Sequence, residues 1–262
     1  MRTRILSGIM MLPLMVFVFI GGNVLLLGFF LIGIMGLKEF YNGFDNLGIK
    51  PSLPIGLAST FLLYCINLFK FEDRTTWYIF WVFAVVLMSL LYLFKIEERK
   101  LEDGMVTALG VFYVVFFSYH ILLVEQLPEY GLLVWLIFLT AFGTDSMAYF
   151  AGYFFGKHKL CPSISPKKTI EGSIGGIAGS VILCGIFAHF VIPFLFLHSI
   201  VIGIIGGIVS QFGDLTASLF KRKMGIKDFG NLIPGHGGVL DRIDSLLFTA
   251  PFIYYYIMLI IK

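Results

Sequence analysis

Charge is scarce in this chain, and paired cysteines are missing. Asp, Glu, Lys and Arg make up 13% of the 262 residues while 58% are hydrophobic, which excludes a water-soluble globule, because no soluble core could hide so much apolar surface. Cys65, Cys161 and Cys184 form no CxxC pair and have no histidine at zinc-finger spacing, so neither a disulfide framework nor a structural zinc is indicated. The glycine-rich nucleotide loops of soluble enzymes, GxxxxGK[ST] and GxGxxG after a strand, are also absent. A net charge of +3 is too small to point to nucleic acid as a partner. No small-x-small cleavage site follows Met1-Arg2-Thr3-Arg4, so the N-terminal apolar run is expected to be retained rather than removed as a signal peptide. No repeat or low-complexity tract is apparent.

What is present is apolar sequence almost end to end. A helix crossing the hydrocarbon needs about 20 mainly apolar residues. Nine candidates meet this approximately: Ile5 to Ile20, Gly22 to Leu37, Pro54 to Phe69, Trp77 to Phe94, Met105 to Val124, Gly131 to Phe155, Ile174 to Ile192, Ile200 to Phe220 and Ile243 to Ile261. The predicted fold is all-α, a polytopic integral membrane protein with about nine transmembrane helices. Five lie in residues 1–130, and four in residues 131–262 together with two polar loops. The first two segments meet at Gly21-Gly22-Asn23 and require a very tight hairpin; as one tilted helix they would reduce the count to eight. With nine spans and the N-terminus inside, all of the 19 lysines and arginines except Lys70, Arg74 and Lys262 fall on one side, which the loop-charge rule assigns to the cytoplasm. Eight spans would misplace either the N-terminal arginines or every later loop. In a bacterium the membrane would be the inner one.

The chemistry is expected in the two polar loops and the helix ends beside them. Asp145 is followed at helical spacing by Tyr149, Gly152 and Gly156; a carboxylate in a span is expensive unless it faces a wet cavity, a metal or a neighbouring helix. Gln211, Asp214, Ser218, Lys221 and Arg222 fall on one helical stripe, which a lipid-facing helix would not tolerate. Asp241 and Asp244 stand three apart at the start of the last span, so both carboxylates point to one side. Alone they read as an N-terminal capping device; with Asp214 they are hard oxygen ligands suited to Mg²⁺. Lys167, Lys168, Lys221, Arg222, Lys227 and Arg242 supply cations, and Gly237-Gly238 permits close backbone approach, the combination that polyphosphate binding requires. Positive-inside anchoring to acidic lipid explains the side of these lysines but not the interleaved Asp, His, Ser and Thr. The Gly172/Gly176 and Gly175/Gly179 spacings read as helix-packing notches. His236 is acid, phosphate donor or loop hydrogen-bonder, and sequence does not choose; His120, His189 and His198 read as structural.

At these residues the sequence resembles the phosphatidate cytidylyltransferase family, the CDP-diglyceride synthetases. The signature Ser-x-apolar-Lys-Arg, four residues, Lys-Asp-x-small, two residues, apolar-Pro-x-His-Gly-Gly-apolar-x-Asp-Arg-apolar-Asp is matched from Ser218 to Asp244, including Lys227-Asp228. Ser165-Pro166-Lys167-Lys168-Thr169-x-Glu171-Gly172 and Asp145-x-x-Ala148-Tyr149-x-x-Gly152 also resemble the family; the first five spans match only in being hydrophobic. The resemblance implies attack of a phosphatidate oxygen on the α-phosphorus of CTP with loss of pyrophosphate. It implies Mg²⁺ on Asp214, Asp241 and Asp244, with a second, monovalent cation such as K⁺ beside it. Lysines and arginines would clamp the phosphates, with Ser165, Thr169, Ser218 and the Gly237-Gly238 amides as further donors. Two rivals share parts of this pattern. A CTP-dependent polyprenol or dolichol kinase would have the same membrane body but not the Lys-Asp…His-Gly-Gly…Asp-Arg…Asp run. A transporter would use Asp145 and Asp214 as ion-coupling sites, but its polar groups would not gather in one half toward one face. Small-residue helix faces offer a contact for a homodimer.

Overall fold

The computed structural model describes residues 15–69, 73–232 and 237–262. In hydrocarbon the backbone has no partner but itself, so apolar runs close their hydrogen bonds as helices. The helices are α1 (Gly22–Gly43), α2 (Leu53–Leu68), α3 (Arg74–Leu91), α4 (Leu101–Glu125), α5 (Val134–Phe155), α6 (Ile170–Val191), α7 (Phe196–Met224) and α8 (Leu240–Tyr256). Among the described residues seven helical segments are long and apolar enough to cross a membrane: α1, α3, α4, α5, α6, α7 and α8 with their short terminal turns. The chain is a multi-pass integral membrane protein. The predicted count of nine is not reached within the described residues. The α2 helix, with 16 residues, is shorter than a usual span, and the predicted segment Ile5 to Ile20 lies mostly outside them.

Two further differences have physical causes. Helices do not stop at the edge of an apolar run. The α1 helix continues past Leu37 through Lys38 and Glu39 to Gly43, and α7 runs on through Lys221-Arg222-Lys223. The loop after α5 is not structureless: β1 (Lys159–Cys161) and β2 (Ser165–Thr169) form a two-stranded antiparallel hairpin, with Lys159 opposite Thr169 and Cys161 opposite Ser165. Pro166 obscures the strand in sequence, but a short edge strand tolerates proline.

By internal contacts the chain forms two compact units. One comprises residues up to Tyr119 together with Lys223–Arg242, the other His120–Arg222 with Ile243–Lys262. In the first, Ser52 caps α2, accepting from the Ile55 amide at 3.4 Å. The loop before it is tied to the start of α4 by the Lys50 amide on Asp103 Oδ1 at 2.7 Å and the Ser52 amide on Thr107 Oγ1 at 2.8 Å. In the second unit the core is a seam of small residues. A Cβ at Gly172 would stand 2.8 Å from the Ala148 carbonyl oxygen, and one at Gly176 would stand 2.9 Å from that of Thr144. Side chains at Gly175 and Gly179 would run into Ala151 and Met147. The glycine notches of α6 are therefore filled by α5 of the same chain, and α7 joins them with Gly203 against the Val181 backbone and Gly207 against Ile177.

Because Gly176 meets backbone rather than a flexible side-chain end, Gly176→Leu is expected to destabilise the protein by about 1–3 kcal/mol. In detergent this reads as a lowered melting temperature, whereas Ile174→Leu, at a position that is 64% exposed, leaves it unchanged.

Candidate active site

The second unit turns the polar stripe of α7 inward. Gln211 donates from Nε2 to the Ser173 carbonyl at 3.2 Å, one helix away. Three residues on, Asp214 Oδ2 meets Lys168 Nζ of β2 at 2.5 Å, with both side chains about a quarter exposed (28% and 26%). Ser218 Oγ donates to Asp214 Oδ1 at 3.4 Å. At the end of the stripe Arg222 Nε donates to the Ile164 carbonyl at the hairpin turn, 3.2 Å away. The α8 helix contributes Asp244, only 9% exposed, which Asp214 and Asp145 face as like charges and Lys221 as a cation. Asp145 is itself exposed and accepts from Ser245 Oγ at 3.1 Å. Close approach of α7 to α8 depends on Gly213, where a Cβ would stand 2.8 Å from the Asp244 carbonyl oxygen.

The hairpin is fixed from below by Glu171. Its carboxylate accepts from the Lys157 amide at 3.1 Å, from the His158 amide and from His158 Nδ1 at 2.6 Å. Thr169 caps α6, accepting from the Gly172 amide at 3.1 Å. Both residues are thus committed to local structure, as an N-terminal cap and a first-turn acid should be. Lys167 remains exposed beside half-buried Ser165.

The first unit holds the other part of the signature. Asp241, 9% exposed, accepts on Oδ2 from the amides of Phe229 at 2.8 Å and Gly238 at 2.9 Å, so the Gly238 amide expected as a phosphate donor is occupied by this aspartate. Gly237 has φ +80°, a backbone that favours glycine, and a Cβ there would stand 2.8 Å from Asp241 Oδ2. Lys227 and Asp228 are exposed, and Arg242 is half-buried. His236 lies outside the described residues. One carboxylate escaped the sequence reading: Glu39, near the end of α1, accepts from the amides of Val239 at 3.0 Å and Leu240 at 2.8 Å. Its available signal was an acid set within a helical apolar run in a chain with only 16 acidic residues.

The structure thus gathers Asp145, Lys168, Asp214, Ser218, Lys221, Arg222 and Asp244 in the second unit. Among the described residues no three Asp, Glu, His or Cys side chains stand together as a ready metal-binding group. The donor set nonetheless suits Mg²⁺: these are hard oxygens, and Mg²⁺ usually takes one or two protein carboxylates and completes its shell with water and substrate phosphates.

The chain belongs to the cytidylyltransferase family, whose model matches residues 2–260. It is 35% identical over 270 aligned positions to the phosphatidate cytidylyltransferase of Bacillus subtilis (strain 168), covering 99% of this chain and 98% of that protein. It is also 35% identical to that of Staphylococcus epidermidis over 260 positions, covering 96% of each. With the phosphatidate cytidylyltransferase of Haemophilus influenzae it shares 46% identity over 135 positions, which is 49% of this chain and 47% of that one.

Since Glu171 alone gathers three donors at the foot of the hairpin, Glu171→Ala is expected to speed proteolytic cleavage between residues 157 and 169. The spans should stay intact on a gel, and unchanged cleavage would show that the strand pairing suffices.

Proposed function

We propose that this protein transfers CMP from CTP to phosphatidate, giving CDP-diacylglycerol and pyrophosphate. The observation that carries this reading is the ion pair of Asp214 with Lys168 of the hairpin, beside buried Asp244, which faces Asp214, Lys221 and Asp145 as charges. Membership of the cytidylyltransferase family and the near full-length similarity to phosphatidate cytidylyltransferases support it. A lipid phosphate oxygen attacks the α-phosphorus, the bond from that phosphorus to the bridging oxygen of the β-phosphate breaks, and the electron pair leaves with pyrophosphate. The obstacle is electrostatic, because about four negative charges on CTP must approach about two on the lipid phosphate.

Lys168, Lys221 and Arg222 would neutralise those charges, with exposed Lys167 as a further cation. The lipid phosphate is already ionised and requires no strong general base. Asp241, the further acid of the signature, holds loop amides in the first unit, while Mg²⁺ would be held by Asp214 and Asp244. When bound it supplies charge neutralisation for the phosphates. The same oxygens are of the kind K⁺ accepts. Asp145 orients Ser245 and adds negative charge beside Asp244.

The loops are assigned to the cytoplasmic face, where CTP is dissolved. The lysine and arginine bias supports this, as do contacts within each unit between loops that alternation places on one side. The loops around Lys50 and Asp103 meet in the first unit, and the hairpin meets the end of α7 in the second. A homodimer would need a surface other than the glycine notches of α6, which α5 fills.

Purified protein supplied with labelled CTP, phosphatidate and Mg²⁺ is expected to yield lipid-bound CMP. Phosphorylated prenol would instead identify a kinase, and absence of turnover would favour transport. Asp244→Asn should lower turnover at least about a hundredfold, as loss of a principal electrostatic group does, while the protein remains folded in membranes. Near-normal turnover would remove Asp244 from the site.

A further inference from the structure

The loop that follows α7 carries half of the signature, and the amides at its end donate to a carboxylate two hundred places earlier. Four amides of this segment are taken by two carboxylates. Asp241 takes Phe229 and Gly238, and Glu39 takes Val239 and Leu240, one on each oxygen. The Leu240 amide belongs to the first residue of α8 and the Val239 amide to the residue just before it, where a helix leaves its donors without partners of its own and favours negative charge. The carboxylate packs against two glycines: a Cβ at Gly230 or Gly238 would displace it from the position in which it holds these amides. The segment also touches α1 through the Phe229 ring, which lies 6.2 Å from that of Phe40, and the end of α7 just before it is held by the turn after α1, where the Asn46 amide donates to the Met224 carbonyl at 3.3 Å.

We infer that Glu39 is a positioning residue for the reaction: by holding the first amides of α8 it fixes the backbone from which Asp241 reaches the loop. The inference rests on the proposed cytidylyl transfer only for its kinetic part. Glu39 touches no reacting atom; its effect passes through Val239 and Leu240 to the residue that follows them. Glutamine at position 39 removes the charge and leaves one acceptor oxygen where each amide now has its own, so the two donors must share it or one must go without. Aspartate keeps the charge but is shorter by one methylene and should behave as an intermediate case.

The test uses the full chain in detergent or nanodiscs. Amide hydrogen exchange, measured without substrate, should be faster by about tenfold at residues 238–240 in Glu39→Gln, the size expected for loss of one charge-assisted hydrogen bond. The spans should exchange as in the wild type. With CTP and phosphatidate, kcat should fall about tenfold or more while KM for CTP changes by less than about threefold, since a misplaced reacting geometry slows the chemical step more than binding. Unchanged exchange at 238–240, or faster exchange with unaltered kcat, would overturn the inference. Should Glu39→Gln fail to fold, Glu39→Asp decides by the same two readouts with smaller changes. A wild-type chain inactive toward CTP and phosphatidate would sink the proposed activity instead, and the exchange data would still show whether Glu39 holds the loop.

Discussion

In a chain this apolar, every ionised group must be answered by another charge, by backbone amides or by water, because hydrocarbon answers none of them. That requirement organises the polar parts of both units. Asp214 is met by Lys168, Glu171 by two amides and an imidazole, Glu39 and Asp241 by two amides each. The helix ends and the hairpin are located by these pairings, and apolar packing fills the space between them. Asp244 is the instructive case. It faces two other carboxylates and Lys221, a surplus of negative charge that suits a site built to receive cations.

The arrangement also explains why residues proposed to handle substrate and structural residues are interleaved along the same short stretches. Thr169 caps α6 while its neighbour Lys168 grips Asp214. Asp241 organises a loop while Asp244, one turn later, is buried among charges. A helix terminus supplies oriented amides and a fixed backbone at the level where lipid head groups and water meet. The residues that secure the terminus are therefore adjacent to those suited to bind phosphate.

Much of this was legible in the sequence because two of its signals are strong. The apolar runs from Trp77 onward mark α3 to α8 within a few residues, since no other structure satisfies so long an apolar backbone in a bilayer. The stripe from Gln211 to Arg222 is one a lipid-facing helix would not tolerate, and its members Gln211, Asp214 and Arg222 bond to the neighbouring helix and hairpin. The glycine spacings of α6 were read as packing notches and are filled by α5. What escaped the reading depends on tertiary partners. Glu39 lies two hundred residues from the amides it holds, and nothing local distinguishes it from an interfacial acid. The hairpin Lys159–Thr169 is too short and too basic to show strand alternation. Thr169 and Glu171, at the start of a helix, also do capping and hairpin work that a family-like run of residues does not reveal.

The length of α7 has an effect of its own. Its 29 residues rise about 44 Å, whereas the hydrocarbon of a bilayer is only about 30 Å thick. The helix therefore overshoots the greasy layer like a mast above a deck. Ser218, Lys221 and Arg222 ride on its last two turns, so a membrane enzyme can lift charged groups toward the water on the end of a spanning helix. The depth at which those groups meet the lipid head groups is thereby tied to the thickness of the bilayer around them.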